Sequence, residues 1–432
     1  MRALRAAWRE YAGATSAVSR PARLFLTTTL LSWMGYGVNQ VLFNLYLVQG
    51  GFQESFVGRV IALNGIGLAI AALPAGWFAE RRGRVPALLL GATIYSLAVM
   101  TRALGLTPGV IATASFFAGV GQALTAIAAA PFLSEHSNAR ERTHLFSFFF
   151  ATELLAGVLG SLLGGWMPNA VRALPVGHGL DLLHAYRWTL IAGALLDWSS
   201  LVPLLRLRGL EEAPYERGGA AADPRERRKI LPVVVNAFLI GMGAGLVIPF
   251  MNLYFKRRFD CSSAQIGAFF AVAQVSTAFA MLIGPVIARR AGKLRTAIGL
   301  QLSSLPFLVT LGAERRLPVA VGSFWMRATL MQASTPLVNT FVMETLPPAL
   351  RARATSFINL VWNIGWATSA TFAGALIERA GYAVPFYVTA TLYLCASTWF
   401  FFSFRSTRET LVEEPRLSEE QKGLRGEGPM TE

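Results

Sequence analysis

The chain has 432 residues, of which 54% are hydrophobic and only 15% charged, with a mean hydropathy of +0.47. Soluble domains carry roughly a quarter charged residues, so this composition excludes an ordinary globular protein and implies a chain solvated largely by lipid. The formal charge of +15 would suit nucleic acid, but the basic residues stand in short clusters between apolar runs. That distribution argues against a nucleic-acid face and for the loop bias of a membrane protein.

Residues 1–21 are basic, with no apolar stretch before Leu24, so they do not read as a cleavable signal peptide. Arg2, Arg5 and Arg9 with Leu4, Trp8 and Tyr11 suit either a short helix on the membrane surface or a frayed cytoplasmic tail. Beyond them, apolar runs near the ~20 residues that a ~30 Å bilayer core requires recur twelve times. They cover 22–48, 56–79, 85–105, 109–133, 144–166, 186–206, 231–255, 263–288, 295–312, 318–345, 354–377 and 383–404. Lipid offers the backbone no hydrogen-bond partners, and runs of this length without two-residue alternation must be helices. The expected fold class is therefore an all-α membrane protein of twelve transmembrane helices.

Between spans six and seven, residues 207–230 mix Gly, Pro and both charge signs and read as a linker; 405–432 read as a disordered tail. This leaves two six-helix bundles, 22–206 and 231–404. Placing both termini inside puts 28 Lys and Arg on the cytoplasmic side and 10 on the other, Arg102 among them, with Arg327 inside a span. The bias sets the orientation, with linker and tail cytoplasmic; Lys256, Arg257 and Arg258 are its main local violation. Cys261 and Cys395 form no CxxC or Cys/His cluster, so neither a disulfide framework nor a metal site is expected.

The two halves repeat. Residues 44–91 align without gaps on 252–299: Asn44-Leu45-Tyr46 on Asn252-Leu253-Tyr254, Ser55 on Ser263, Gly76 on Gly284, Arg81-Arg82 on Arg289-Arg290 and Gly91 on Gly299. Further on, Phe132 and Glu135 echo Phe341 and Glu344, and Arg140 and Arg142 echo Arg351 and Arg353. Parallel repeats of this kind are a transporter architecture, with the substrate site near mid-membrane between them.

Between spans two and three stands GWFAERRGR, Gly76 to Arg84. It resembles the Gly-x-x-x-Asp-Arg-x-Gly-Arg signature of the major facilitator superfamily, with Glu80 in place of Asp. GPVIARRAGK, Gly284 to Lys293, is similar to a degenerate second copy that lacks the acid. The resemblance covers roughly residues 20–405 and implies a secondary transporter that works by rocking its halves. It also implies a cytoplasmic latch of Gly76, Glu80, Arg81, Gly83 and Arg84, joined by Glu135 and by Arg351 or Arg353, with Gly76 allowing two helices to approach.

Ionisable groups inside a span are functional suspects. Glu153, in span five, shares a face with Gly157, Gly160 and Gly164, a stripe that loosely resembles the Gly-rich fifth-span motif of proton-driven antiporters, with Ser161 where Pro is expected. Glu153 reads as a proton carrier or a structural ion pair. Asp197, on span six, is a second proton-coupling candidate, although a structural hydrogen bond toward the bundle is the favoured reading. Arg327, on span ten, either binds a substrate carboxylate or phosphate or neutralises Glu153. Span four lacks the arginine of the proton antiporters. Uncharged substrate candidates are Tyr36, Gln40 and Asn44 with Trp33 on span one, Gln122, Gln274 and Gln332 in spans four, eight and ten, and Asn359, Trp362, Asn363 and Trp366 on span eleven. The alternative for each is an interhelical hydrogen bond. Gly241, Gly243, Gly245 and Pro249 suggest a bendable gate in span seven.

No HExxH, GxSxG or nucleotide-binding loop is present, so neither an enzyme nor a self-contained ATP pump is expected. The leading expectation is a monomeric exporter of a small organic molecule in the bacterial inner membrane, with no cofactor and a proton or ion gradient as its energy source. The alternatives are an uptake symporter or facilitator whose Arg327 holds an anion, and a transporter-like receptor without flux.

Overall fold

The computed structural model describes residues 19–137, 142–174, 179–210, 230–346 and 348–405, with side chains at all of these except 143, 282–286, 289–291, 348–353 and 356. The expected basic N-terminal helix or tail, most of the linker and nearly all of the C-terminal tail lie outside the described residues, as does Arg140; the side chains of Arg351 and Arg353 do too.

Among the described residues, twelve long helices follow one another. The first half comprises α1 Arg20–Gln49, α2 Glu54–Arg82, α3 Arg84–Leu104, α4 Pro108–Glu135, α5 Arg142–Ala173 and α6 Leu182–Leu205, interrupted at Ser200. The second comprises α7 Ile230–Phe259, α8 Ser263–Ala291, α9 Lys293–Ala313, α10 Leu317–Thr345, α11 Pro348–Ala380 and α12 Ala383–Phe404. Ten meet the length and hydropathy of a membrane span. The other two, α1 and α10, fall short because both carry polar side chains deep in their length: Ser32, Asn39, Gln40 and Asn44 on one, Arg327 and Gln332 on the other.

An even number of passes places both ends of the chain at one face, here called the termini end; the opposite face is the far end. Tight glycine turns mark the termini end, where Gly83 (φ 95°) separates α2 from α3 and Gly292 (φ 85°) separates α8 from α9. Positive φ at both explains why glycine stands there. It also corrects the gapless alignment. Gly83 and Gly292 are equivalent, and α2 and α8 are both 29 residues long, so the second half gains its extra residue ahead of α8 rather than in the glycine turn, and Arg84 corresponds to Lys293.

The packing is duplicated. Within the first half α1 packs on α5 and α6, α4 on α2 and α3, and α3 on α6. The second half repeats each of these pairings, with α7 on α11 and α12, α10 on α8 and α9, and α9 on α12. Between halves, α2 lies along α11 and α5 along α8, which are the same pairing exchanged by a pseudo-twofold axis.

Candidate functional site

At the far end the repeated Asn-Leu-Tyr segments meet. Asn44 Nδ2 donates to the Pro249 carbonyl at 2.6 Å and to Asn252 Oδ1 at 3.2 Å, while Asn252 Nδ2 donates to the carbonyls of Val41 at 3.0 Å and Gln40 at 3.3 Å. Position 249 is the repeat equivalent of 41, so each asparagine caps the same carbonyl of the other half. The 3-10 turn Ile248–Phe250 inside α7 interrupts its hydrogen-bond ladder beside that carbonyl. Tyr46 and Tyr254 are fully buried, and their hydroxyls donate to the carbonyls of Ala103 and Leu311, near the ends of the equivalent helices α3 and α9. Helix α7 is therefore interrupted at Pro249. Its glycines are packing sites instead: a Cβ at Gly241 would lie 2.3 Å from the Trp362 carbonyl oxygen, and one at Gly245 2.4 Å from that of Trp366.

The basic cluster that broke the charge rule is neutralised in place. Lys256 pairs with Asp260 at 2.7 Å and Arg257 with Glu54 of the other half at 3.1 Å, and Arg258 donates to the Glu314 carbonyl at 2.9 Å. The Lys256 ammonium holds the Asp260 carboxyl below the usual range, and the Arg316 and Arg315 backbone N–H groups with the Arg316 side chain do the same for Glu314. Ser55 N–H donates to Glu378 at 2.6 Å, adding a second tie between the halves, this one from α2 to α11.

These close contacts stop midway. A Cβ at Gly58 or Gly65 would meet α11 at 2.5 and 2.9 Å, and at Gly157 or Gly165 α8 at 2.2 and 2.7 Å. One at Gly76, nearer the termini end, would meet nothing within 4 Å. The expectation that Gly76 brings two helices together is thus corrected for this conformation. Over the same stretch the interface helices expose Leu73, Trp77, Phe150, Phe279 and Phe357. The halves are closed at the far end and part toward the termini.

The first half encloses a polar core that sequence reasoning missed. Arg102, counted there as a loop charge, is buried in α3: it donates to Asn39 Oδ1 at 2.9 Å and Ser115 Oγ at 3.5 Å and lies over the Phe43 ring at 4.2 Å. Asp197 is 2% exposed and accepts from Ser32 Oγ at 2.6 Å. Ser32, Asn39 and Phe43 follow a +7, +4 spacing on one face of α1. Two available signals were that spacing and the position of Arg102 within the 85–105 run itself. Tyr36 and Gln122 belong to this core rather than to an open lining: Tyr36 packs beside Tyr95, and Gln122 hydrogen-bonds Tyr95.

Glu153 is half-buried and hydrogen-bonds the Trp33 side chain. The glycines beyond it are packing surfaces, Gly160 and Gly164 against α1 and Gly157 against α8. Gln274 is spent there, donating to Ser161 Oγ at 2.9 Å. In the second half, Arg327 is 5% exposed and donates to Tyr393 Oη at 2.9 Å; among the described residues it makes no ion pair, so it does not neutralise Glu153. Its Nε has no partner. Gln40, Gln332 and Asn359 are exposed, Trp362 and Trp366 stack at 5.2 Å, and Asn363 donates to its own helix at the Asn359 carbonyl.

At the termini end, Arg84 is buried and paired with Glu135 at 3.2 Å, and Lys293 pairs with Glu344. Each pair joins the third and fourth helices of its own half, so the second loop copy draws its acid from Glu344. Glu80 and Arg81 are exposed, Arg81 lying over Trp77 at 4.4 Å. Among the described residues Glu80 makes no ion pair.

The sequence matches the Major Facilitator Superfamily over residues 25–370, with a second match over 233–429. The chain belongs to this superfamily. It is a multi-pass membrane transporter, not an enzyme. The superfamily member described as the cis,cis-muconate transport protein of Acinetobacter baylyi is 24% identical over 84% of this chain and 87% of its own length. The gallate transporter of Pseudomonas putida is 28% identical over 155 residues, 36% of this chain and 31% of that one, so the match spans about a third of it. Superfamily structures share the fold. A bacterial homologue of the lysosomal transporter Spinster, inward-facing, superimposes with a TM-score of 0.71 at 15% identity, covering 90% of this chain and 98% of that one. The nucleoside transporter NupG gives 0.73 at 14% identity, covering 90% and 100%.

Proposed function

We propose that this superfamily member takes up a small organic carboxylate, working as a monomer in the bacterial cytoplasmic membrane with its termini end inside. The observation that carries this reading is Arg327. It is a buried guanidinium on α10 whose direct partner is a neutral phenol, with Nε unpartnered. The described acids of its half, Asp260, Glu314, Glu344 and Glu378, all stand at helix ends or loops. A buried cation without a counter-ion is costly, and an anionic substrate would offset that cost. Gallate and cis,cis-muconate, named for the two relatives, are both carboxylates.

The exporter expectation leaned on the Gly stripe beside Glu153 and on a lining with little charge. The stripe is accounted for by packing against α1 and α8, and the interior holds Arg102 and Asp197 as well as Arg327. With the termini end cytoplasmic, as the arginine and lysine bias favours, closure at the far end corresponds to an inward-facing state. The test is uptake of radiolabelled cis,cis-muconate and gallate into proteoliposomes of known sidedness. Losing a charge-assisted hydrogen bond, worth ~1.5–3 kcal/mol, should raise KM about ten- to a hundredfold in Arg327→Gln, with Arg327→Lys less affected. Wild-type uptake by Arg327→Gln would refute the assignment.

A further inference from the structure

The buried polar core of the first half has no role in the reading above. Asp197 and Arg102 lie inside it, 2% and 6% exposed. No ion pair joins them, and their direct partners are uncharged: Ser32 for one, Asn39 and Ser115 for the other. Each keeps an unused polar atom, Asp197 Oδ2 and Arg102 Nε, and two buried hydroxyls on the same two helices, Ser96 and Ser200, also lack partners. Buried polar atoms are nearly always satisfied, so these four, carried by two helices packed on each other, leave hydrogen-bonding capacity vacant inside the first half.

We propose that Asp197 is the site at which this transporter carries a proton as co-substrate, with Arg102 as its electrostatic counterpart. The proton binds Oδ2, the carboxylate oxygen that no protein group occupies. With the proton on, the costly buried anion is gone; with it off, Arg102 compensates the charge through space. The titratable and charged groups facing the pair are Tyr95 of α3 and Tyr36 of α1. From α5, which also packs on α6, Glu153 bonds Trp33 instead.

The pair is placed to report its charge to the rest of the molecule through α1. That helix supplies Ser32 to Asp197 and Asn39 to Arg102, and its Asn44 reaches across to Asn252 and the Pro249 carbonyl of the other half. Protonation removes the Ser32 hydroxyl's anionic acceptor, and so changes what holds α1 to α6, the helix that must shift when the halves part at the far end. A co-transported proton also answers an energetic need. Moving one negative charge inward costs ~2.3 kcal/mol per 100 mV of inside-negative potential, and one proton cancels that charge. This last point rests on the carboxylate reading; proton binding at Asp197 does not.

The test has two arms. The first uses full-length protein in liposomes and infrared difference spectra between alkaline and acidic buffer. Wild type should show the C=O stretch of a protonated carboxyl, absent in Asp197→Asn and kept in Glu153→Gln. Persistence of the band in Asp197→Asn, or its loss in Glu153→Gln, overturns the proposal. If Asp197→Asn does not fold, Ser32→Ala decides, because loss of its hydrogen bond must shift the band; an unmoved band also overturns the proposal. The second arm measures cis,cis-muconate and gallate flux. Asp197→Asn should lose accumulation driven by a pH gradient, falling at least tenfold, while counterflow exchange continues. Gradient-driven accumulation at the wild-type level counts against the proposal. A wild type that moves neither compound counts against the substrate reading alone, since the infrared arm is independent of it.

Discussion

Glycines on α2 serve two different purposes. A Cβ at Gly67 would lie 2.1 Å from the Phe116 carbonyl oxygen, and one at Gly119 1.9 Å from that of Asn64, so each lets α2 and α4 touch backbone to backbone. Gly76, two and a half turns further along, faces open space in this conformation. Adding a methyl group to a filled contact costs ~1–3 kcal/mol in overpacking. Gly67→Ala and Gly119→Ala should therefore lower the Tm of the purified protein by several degrees, whereas Gly76→Ala should leave it unchanged. A Tm drop in Gly76→Ala equal to that in Gly67→Ala would mean that Gly76 is already in contact. The loop motif alone singled out Gly76, and nothing in the sequence singled out Gly67, because a glycine's use depends on which helix lies opposite.

At the scale of helices, the junction of α1 and α7 shows why repetition is informative. Asn44 and Asn252 each bond the carbonyl that the other's repeat presents, and Tyr46 and Tyr254 anchor to the equivalent helices α3 and α9. Interhelical hydrogen bonds in membranes are worth ~0.6–2 kcal/mol. Asn44→Ala and Asn252→Ala should each destabilise by about that amount, and the double variant by less than their sum, since the two amides share a bond. The same variants should raise labelling of far-end cysteines; strict additivity together with unchanged labelling would rule out the clasp. The tripeptide repeat was visible in the sequence because one local geometry recurs. The Gly stripe of α5 was visible in the sequence, but not what it packs against, which is α1 on one side and α8 on the other. Arg102 was misplaced because an arginine near the end of an apolar run looks the same whether it reaches out to water or turns in toward Asn39. The extra residue ahead of α8 was hidden by matching Arg-Arg pairs, and the equal lengths of α2 and α8 up to Gly83 and Gly292 reveal it.

The whole molecule is held together unevenly. Far-end ties between halves include Asn44 with Asn252, Glu54 with Arg257 and Ser55 with Glu378. At the termini end the described ion pairs Arg84–Glu135 and Lys293–Glu344 stay within a half. A rocking motion that opened the far end would break the first set, leave the second intact and bring the exposed Glu80 toward α11. The latch that the loop motif implies would then belong to the other state, and we propose that Glu80 meets a basic partner of the second half there. An exposed ion pair contributes ~0.2–1 kcal/mol, enough to shift the balance of two states by up to about fivefold. Glu80→Gln should accordingly leave the Tm of this far-end-closed state unchanged while enriching it, with slower transport as the result. Spin labels at the termini end of α3 and α9 would report the enrichment as a smaller fraction of short distances. If Glu80→Gln keeps both the distance distribution and the transport rate of the wild type, the termini end closes without that carboxylate, and closure must depend on packing between α2 and α11 alone.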